Sequence, residues 1–209
     1  MSGYSPIDER ELEQLALAYG QPEIRTIEIE GDEYLFSTRR YRSRDRRGEV
    51  VLAIERPGRC VLLHSKGWYE PGVYRLLSGG IDLDEAVETT LARELGEETG
   101  LTLDITRFLG VLDCRIRYAE QELSFVSYVF HLSRTEGVLR LPRTAEDISD
   151  FRDVPIADLP SVAEDLRHVP SPRTGWGRWR AVAHDFVFEM VCAATSMRDC
   201  WRFADAESI

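Results

Sequence analysis

The chain has 209 residues, of which 43% are hydrophobic and 30% charged, and its formal net charge at pH 7 is −11. These fractions are typical of one globular domain with extensions, and they exclude an intrinsically disordered chain. The negative charge argues against nonspecific nucleic-acid binding, and no stretch approaches the roughly 18 apolar residues of a membrane-spanning helix.

The N-terminal region predicts a helix and then a β-hairpin. Ser5 and Pro6 are typical of an N-cap and a first helical residue, and Gly20 is typical of a helix end. The segments TIEIE and EYLFST alternate like strands around a Gly-Asp turn. We therefore expect two paired strands after the first helix.

An arginine-rich stretch, residues 37–49, follows the predicted hairpin. Its arginines are Arg39, Arg40, Arg42, Arg44, Arg46 and Arg47. Because the chain has 25 arginines and one lysine, Lys66, arginine is its general cation, which favours a solvated loop or strand edge. Two alternatives are a nucleic-acid contact and a substrate-phosphate site, in which Arg42 or a neighbour contacts a distal phosphate or sugar.

The middle of the chain predicts two strands and a helix. The apolar runs VVLAIE and CVLLH are joined by the turn RPGR. Within residues 79–101, Val87, Leu91 and Leu95 recur every four residues, as on one face of a helix. Asp82 with Glu85 resembles a capping box before this helix, and Gly100 suits a left-handed residue after it.

The predicted helix carries an acidic face. Residues 79–101 hold seven acidic residues and one basic residue. Glu94, Glu97 and Glu98 are spaced i, i+3 and i+4, which places their carboxylates on one side of a helix. Their repulsion would be relieved by a divalent cation, and Mg²⁺ prefers oxygen ligands of this kind. A bare solvated helix face is the alternative.

The rest of the chain predicts strands and then helices. Residues 103–118 and 122–132 have the pattern of long strands in a covered sheet, and the segment FRDVP that of a shorter one. Residues 156–168 and 174–195 predict two helices. The apolar stripe of the second helix consists of Trp179, Val182, Ala183, Phe186, Met190 and Val191, and is interpreted as core.

Residues 79–101 match the signature of the Nudix hydrolases, G-x5-E-x7-R-E-U-x-E-E-x-G-U with U aliphatic. Its nine fixed positions are filled by Gly79, Glu85, Arg93, Glu94, Leu95, Glu97, Glu98, Gly100 and Leu101. The resemblance implies an α+β fold, a Nudix-type α/β/α sandwich with a mixed central sheet. Residues 1–48 would be an N-terminal helix and strand extension, 49–160 the Nudix domain, and 161–209 a C-terminal helical extension packed on it.

The resemblance also implies a function. It indicates an enzyme that uses Mg²⁺, with Mn²⁺ as an alternative, to hydrolyse the pyrophosphate of a nucleoside diphosphate linked to a moiety X. Glu97 and Glu98 are expected to be metal ligands, and Glu94 a ligand or the general base. Arg93 is expected to orient the glutamates through ion pairs, with Glu85 helping to hold that network. One departure is Ser78, where the family often has a proline before the two glycines.

The identity of X stays open among nucleotide sugars, ADP-ribose and dinucleoside polyphosphates. ADP-ribose pyrophosphatases often have a proline where this chain has Ile116 and Arg117, which weakens that assignment. Dinucleoside polyphosphate hydrolases often have a tyrosine where Tyr118 lies. Arg42, Arg75 and Tyr118 are the candidate substrate-binding residues.

The loop at residues 144–150 is a candidate source of one more carboxylate. Mg²⁺ requires near-octahedral coordination, whereas the three glutamates approach from one side. Among the loop acids, Glu146 is preferred over Asp147 because its side chain reaches farther. A polar surface loop is the alternative.

Two other functions stay open: a catalytically silent Nudix-fold nucleotide-binding or sensor protein, and an enzyme similar to isopentenyl-diphosphate isomerase. We expect a small-molecule nucleotide as the partner, without nucleic acid or membrane, and a homodimer is an open alternative for the assembly. The polar N-terminus is unlike a signal peptide, and the cysteines lack C-x-x-C spacing. Both features predict a cytoplasmic protein.

Overall fold

The computed structural model describes residues 7–42, 45–102, 107–133, 136–142 and 147–194. Within these ranges the helices are α1 (Glu9–Tyr19), α2 (Glu33–Arg42), α3 (Val87–Thr99), α4 (Leu159–Arg167) and α5 (Thr174–Ala194). The strands are β1 (Glu23–Glu30), β2 (Arg46–Arg56), β3 (Cys60–Lys66), β4 (Arg75–Asp82), β5 (Leu101–Thr102), β6 (Arg107–Tyr118), β7 (Gln121–Leu132), β8 (Glu136–Gly137) and β9 (Ile148–Pro155). None of the described helices is both long and apolar enough to cross a membrane.

Seven strands form one mixed sheet in the order β1-β6-β7-β2-β4-β3-β9. Strand β1 is parallel to β6, strand β2 is parallel to β7, and the other neighbours are antiparallel. The α+β class with a mixed central sheet, predicted from the sequence, is thereby confirmed.

Two apolar layers cover the sheet, one on each face. Helices α2, α4 and α5 contribute to one layer, and α1 and α3 to the other. Strand β2 shows the consequence, because Val51 and Ala53 belong to the first layer and Val50, Leu52 and Ile54 to the second. The molecule is therefore an α/β/α sandwich, and its covered strands are apolar on both faces.

The predicted hairpin in the N-terminal region is wrong. The segment TIEIE does form part of β1, but EYLFST is helical and lies in α2. Asp32 is a helix cap instead of a turn residue, because its carboxylate accepts a hydrogen bond from the Leu35 N–H at 2.8 Å. Helix α2 then buries the adjacent Leu35 and Phe36 against the sheet, and β1 pairs with β6.

The first helix begins later than the sequence predicts. Residues 5 and 6, the predicted start, lie outside the described part of the chain, and the helix starts at Glu9. Asp8 is its N-cap, since its carboxylate accepts hydrogen bonds from the N–H groups of Arg10 and Glu11. Gly20 ends the helix as predicted, with φ 95°.

Helix α3 carries the signature acids, and its start also differs from the prediction. Asp82 is the last residue of β4 and does not cap the helix. Gly79 and Gly80, a glycine pair before the helix of the kind that suits a tight turn, also lie in β4. The predicted end is confirmed, because Gly100 is left-handed with φ 74°.

The N-terminus of α3 is capped from a distant part of the chain. Its N-cap residue, Ala86, has no side chain to accept a hydrogen bond. The Glu11 carboxylate of α1 accepts one from the Val87 N–H at 2.7 Å and pairs with Arg47 at 2.7 Å. Arg47 in turn donates to the Glu85 carbonyl at 2.8 Å. Helix α1 thus fixes the start of the helix that bears the signature glutamates.

Replacing Glu11 by alanine tests this contact. We expect Glu11→Ala to lower the free energy of unfolding by about 1–2 kcal/mol, because Val87 loses its acceptor and Arg47 its counter-charge. Urea denaturation measures the change. Glu13→Ala, an exposed position on the same helix, is the control and should change the free energy by less than about 0.5 kcal/mol. Equal stability of the two variants would contradict the capping role.

Candidate functional site

A cavity of about 290 Å³ lies between the sheet and helices α2, α3 and α5. Its lining is rich in cations: Arg39, Arg46, Lys66, Arg75 and Arg180. Aromatic side chains also line it, namely Tyr34, Trp68, Tyr69, Phe125 and Trp176. In a chain with a net charge of −11, this concentration of positive charge favours an anionic ligand.

Glu94 is the signature acid that lines this cavity. Helix α3 packs on β4 at Gly79, and a Cβ atom on Gly79 would overlap the Glu94 side chain. The glycine therefore creates the space in which Glu94, only 6% exposed, lies against the sheet. This close approach, and not a turn, explains the glycine at this position.

Arg93 binds three of the acids in the signature. Its guanidinium donates to Glu85 at 2.8 and 2.9 Å and to Glu94 at 2.8 Å, and it lies 3.5 Å from Glu97. A further hydrogen bond to the Gly80 carbonyl ties it to β4. Hydrogen bonds from Arg93 lower the pKa of Glu85 to about 2. The ion pairs expected of Arg93 are therefore present, with Glu85 as its main partner.

The three predicted metal ligands differ in their surroundings. Glu98 is buried, and its Oε1 lies 3.8 Å from the Lys66 Nζ, whereas the Glu97 side chain is 53% exposed. Among the described residues, no three His, Cys, Asp or Glu side chains are assembled as a metal-ligand group. Arg93 and Lys66 instead hold the carboxylates as cationic partners. An oxygen-only donor set that already attracts cations fits a hard divalent ion.

A second charged cluster, which the sequence did not reveal, also lines the cavity. The buried Glu49 carboxylate accepts hydrogen bonds from Arg180 at 2.9 and 3.0 Å and from the Ser127 hydroxyl at 2.9 Å. Burial raises the pKa of Glu49, but the guanidinium groups of Arg180 and Arg39 outweigh it, so the pKa falls below its usual value. Helix α5 has two arginines, the exposed Arg178 and the largely buried Arg180, and no local pattern in the sequence distinguishes them.

The predicted substrate-binding residues lie in different places. Arg75 is buried at the cavity, where it donates to the Tyr69 hydroxyl at 2.6 Å and the Ser78 hydroxyl at 2.9 Å. Tyr118 lies at the end of β6, 37% exposed, with its ring 6.1 Å from that of Phe36, and is not one of the residues that line the cavity. The Arg42 side chain lies outside the part that the structure describes.

The described arginines of the arginine-rich stretch do not lie in the solvated loop or strand edge that was predicted. Arg39 lies on α2, is 7% exposed and packs over the rings of Trp179 and Phe125, at 4.5 and 4.9 Å from their centroids. Arg46 begins β2 and lines the cavity. The stretch is therefore part of the fold around the cavity, and a contact with phosphate stays a prediction.

The acidic loop before β9 reaches the same cavity. Asp147 lines it, and the Asp147 carbonyl accepts a hydrogen bond from the Gly67 N–H at 2.9 Å. Asp150, which the sequence placed in this loop, instead lies in β9, where it accepts a hydrogen bond from the Tyr74 hydroxyl. Glu146, the preferred candidate of this loop, lies outside the described residues.

The family model described as NUDIX domain matches residues 44–174, more than half of the chain. The chain belongs to the Nudix family. Helix α2 precedes the matched range, and all but the first residue of α5 follows it. Arg39 and Arg180 thus bring side chains from outside the matched Nudix range into the cavity.

Individual Nudix relatives match only parts of this chain. A NAD-capped RNA hydrolase NudC of Haemophilus influenzae (strain PittEE) is 32% identical over 63 residues, 29% of this chain and 24% of the relative. A MutT-like protein of Streptomyces ambofaciens is 32% identical over 78 residues, 37% of this chain and 47% of the relative. The chain therefore spans less than half of the length of either relative.

Among solved structures, that of an ADP compounds hydrolase has the same fold. Its TM-score is 0.50 at 21% identity, and the match covers 71% of this chain and 74% of that one.

Gly79 and Gly96 provide a matched test of how the Nudix helix packs on β4. We expect Gly79→Ala to lower the free energy of unfolding by about 1–3 kcal/mol, because the new methyl group displaces Glu94. A Cβ on Gly96, exposed in the middle of α3, meets no atom within 4 Å. Gly96→Ala should therefore raise the free energy by about 0.5–1 kcal/mol. A Gly79→Ala protein as stable as wild type would refute this packing.

Proposed function

We propose that this Nudix protein is a Mg²⁺-dependent hydrolase that cleaves the pyrophosphate of a nucleoside diphosphate linked to a moiety X. One observation carries the proposal: Glu94 of the complete signature lies at the wall of a cavity that is lined with arginines. A pyrophosphate is highly anionic, so the arginines suit its binding, and the acids suit the cation that its hydrolysis requires.

Glu94, Glu97 and Glu98 are the residues that we propose to hold Mg²⁺, with Mn²⁺ as a substitute. Their carboxylate oxygens are the ligands that such hard ions prefer. A bound Mg²⁺ ion neutralises phosphate oxygens and lowers the pKa of water. Arg93 orients the glutamates. Its hydrogen bonds to the Glu85 carboxylate and to the Gly80 carbonyl of β4 hold it in place when Glu94 turns from Arg93 to the metal.

The cations of the cavity are proposed to bind the substrate. Arg75 is fixed by two hydroxyl groups and can present its remaining donors to a phosphate. Arg180 is held by Glu49 at 2.9 Å and shares the Ser78 hydroxyl with Arg75. Arg42 stays a candidate for a distal phosphate or sugar, and Tyr118 for a more remote part of X. The general base is proposed to be Glu94 or Glu146.

The class of X is proposed to be a nucleotide sugar, ADP-ribose or a dinucleoside polyphosphate. The NudC relative acts, by its name, on NAD-capped RNA, so this substrate belongs among those to be tested. The net charge of −11 favours small nucleotides over RNA. The same proposal includes a small-molecule partner and a cytoplasmic location, and it leaves a homodimer open. It also includes the domain boundaries at residues 48 and 160.

A substrate screen with Mg²⁺ and excess EDTA tests the proposal. We expect hydrolysis only with the metal, and Glu98→Gln should lower kcat at least a hundredfold because one ligand is lost. Glu97→Gln should do the same while changing stability by less than about 0.5 kcal/mol, since its side chain is exposed. Glu120→Gln, in an exposed turn, is the control.

Two results of this screen would count against the enzyme. Full activity in EDTA after metal-free preparation would exclude the metal mechanism. Nucleotide binding without turnover of any substrate would favour the alternative, a catalytically silent sensor.

The acidic loop requires its own test. We expect Glu146→Gln to lower kcat at least tenfold at saturating Mg²⁺, because Glu146 completes the coordination or acts as the base. Asp147→Asn is the matched variant, and its effect should be smaller because the shorter side chain reaches less far. If neither variant lowers kcat tenfold, this loop is not part of the catalytic site.

A further inference from the structure

Lys66 is the only lysine in a chain that has 25 arginines. The two residue types are not interchangeable. Lysine carries a compact ammonium with three donors on a flexible stem, whereas arginine carries a broad planar fork. The surroundings of Lys66 therefore indicate what a lysine can do at this position that an arginine cannot.

Lys66 lies at the candidate active site. It is the last residue of β3, lines the cavity, and its side chain is only 12% exposed. Its Nζ is 3.8 Å from Oε1 of Glu98, one of the signature acids. Every other cation in the cavity lining is an arginine.

The backbone around Lys66 directs its side chain to this position. The pairing of β3 with β9 shifts register between Ser65 and Lys66, and such bulges turn a side chain to a new direction. Beyond the bulge, the Lys66 carbonyl accepts a hydrogen bond from the Tyr69 N–H at 2.9 Å. The Gly67 N–H is bonded to the Asp147 carbonyl at 2.9 Å. The end of the strand is therefore held by backbone hydrogen bonds to two residues that line the cavity.

We propose that the Lys66 ammonium binds a non-bridging oxygen of the scissile pyrophosphate. This inference rests on the proposed function. Lys66 lines the cavity and its ammonium lies 3.8 Å from Glu98, so a substrate phosphate that approaches a cation held by Glu98 also approaches Lys66. An ammonium has three donors that rotate, so it can move from Glu98 to the phosphate without a rearrangement of the residues that line the cavity. A planar guanidinium cannot do so as readily.

A structural role gives different expectations. If Lys66 only balances the charge of Glu98, its removal frees that carboxylate for the metal. Mg²⁺ would then bind more tightly, and binding of phosphate compounds would not change. Measuring the binding of Mg²⁺ and of inorganic pyrophosphate separately therefore distinguishes the two roles.

The main experiment compares Lys66→Met with wild type by calorimetry, with inorganic pyrophosphate as the ligand in EDTA. We expect at least tenfold weaker binding, and with substrate and Mg²⁺ a loss in kcat/KM of about a hundredfold, as for other single donors to developing charge. Lys66→Arg keeps the charge and should regain less than a tenth of the lost kcat/KM. Arg115→Met, which removes a cation from the exposed side of β6, is the control.

A second measurement uses the wild-type chain, in case Lys66→Met does not fold. Reductive methylation with ¹³C-formaldehyde gives one dimethyl-lysine signal, because the chain has one lysine. We expect inorganic pyrophosphate without metal to shift this signal. Pyrophosphate affinity equal to wild type in Lys66→Met, or an unmoved dimethyl-lysine signal, overturns the inference. A wild-type chain that hydrolyses no nucleotide instead refutes the proposed function, while the pyrophosphate titration still decides the role of Lys66.

Discussion

The site depends on how two cations hold the carboxylates of one helix. Glu94 and Glu98 are buried, and burying a charged carboxylate is costly unless a partner offsets it. Arg93 provides a partner for Glu94 and Lys66 one for Glu98. Arg93 also binds Glu85, so it keeps a carboxylate partner if Glu94 turns to a divalent ion. The folded chain thus keeps both acids in place at the site where we propose that a divalent ion binds.

The segments that flank the signature contribute to the site as much as the signature itself. Helix α1 caps the helix with the acids through Glu11, and α2 and α5 bring Arg39 and Arg180 to the cavity. Family members share the acids, so under the proposed function these flanking helices are where the chain would select the moiety X. The buried Glu49, which accepts hydrogen bonds from Ser127 and Arg180, holds Arg180 at the cavity, which suits a role in selecting a ligand by charge.

Local patterns predicted the parts of the structure that depend on neighbours in sequence. The acidic helix, its left-handed end at Gly100 and the apolar strands β2 and β3 are of this kind. The failures involve contacts between distant residues. Asp32 caps a helix that packs on the sheet, and Glu11 replaces Asp82 as the cap of the acidic helix. The pairing of Glu49 with Arg180 likewise joins residues 131 positions apart, which no local pattern reveals.

A crystal structure of the protein grown with Mn²⁺ tests the central claim most directly, because the anomalous signal of manganese locates the ion independently of activity. We predict an anomalous peak bonded to carboxylate oxygens of Glu94, Glu97 and Glu98, with Arg93 still paired to Glu85 and the Lys66 ammonium turned from Glu98 to the cavity. Manganese bound elsewhere at full occupancy, with Arg93 and Lys66 still holding Glu94 and Glu98, would contradict the account.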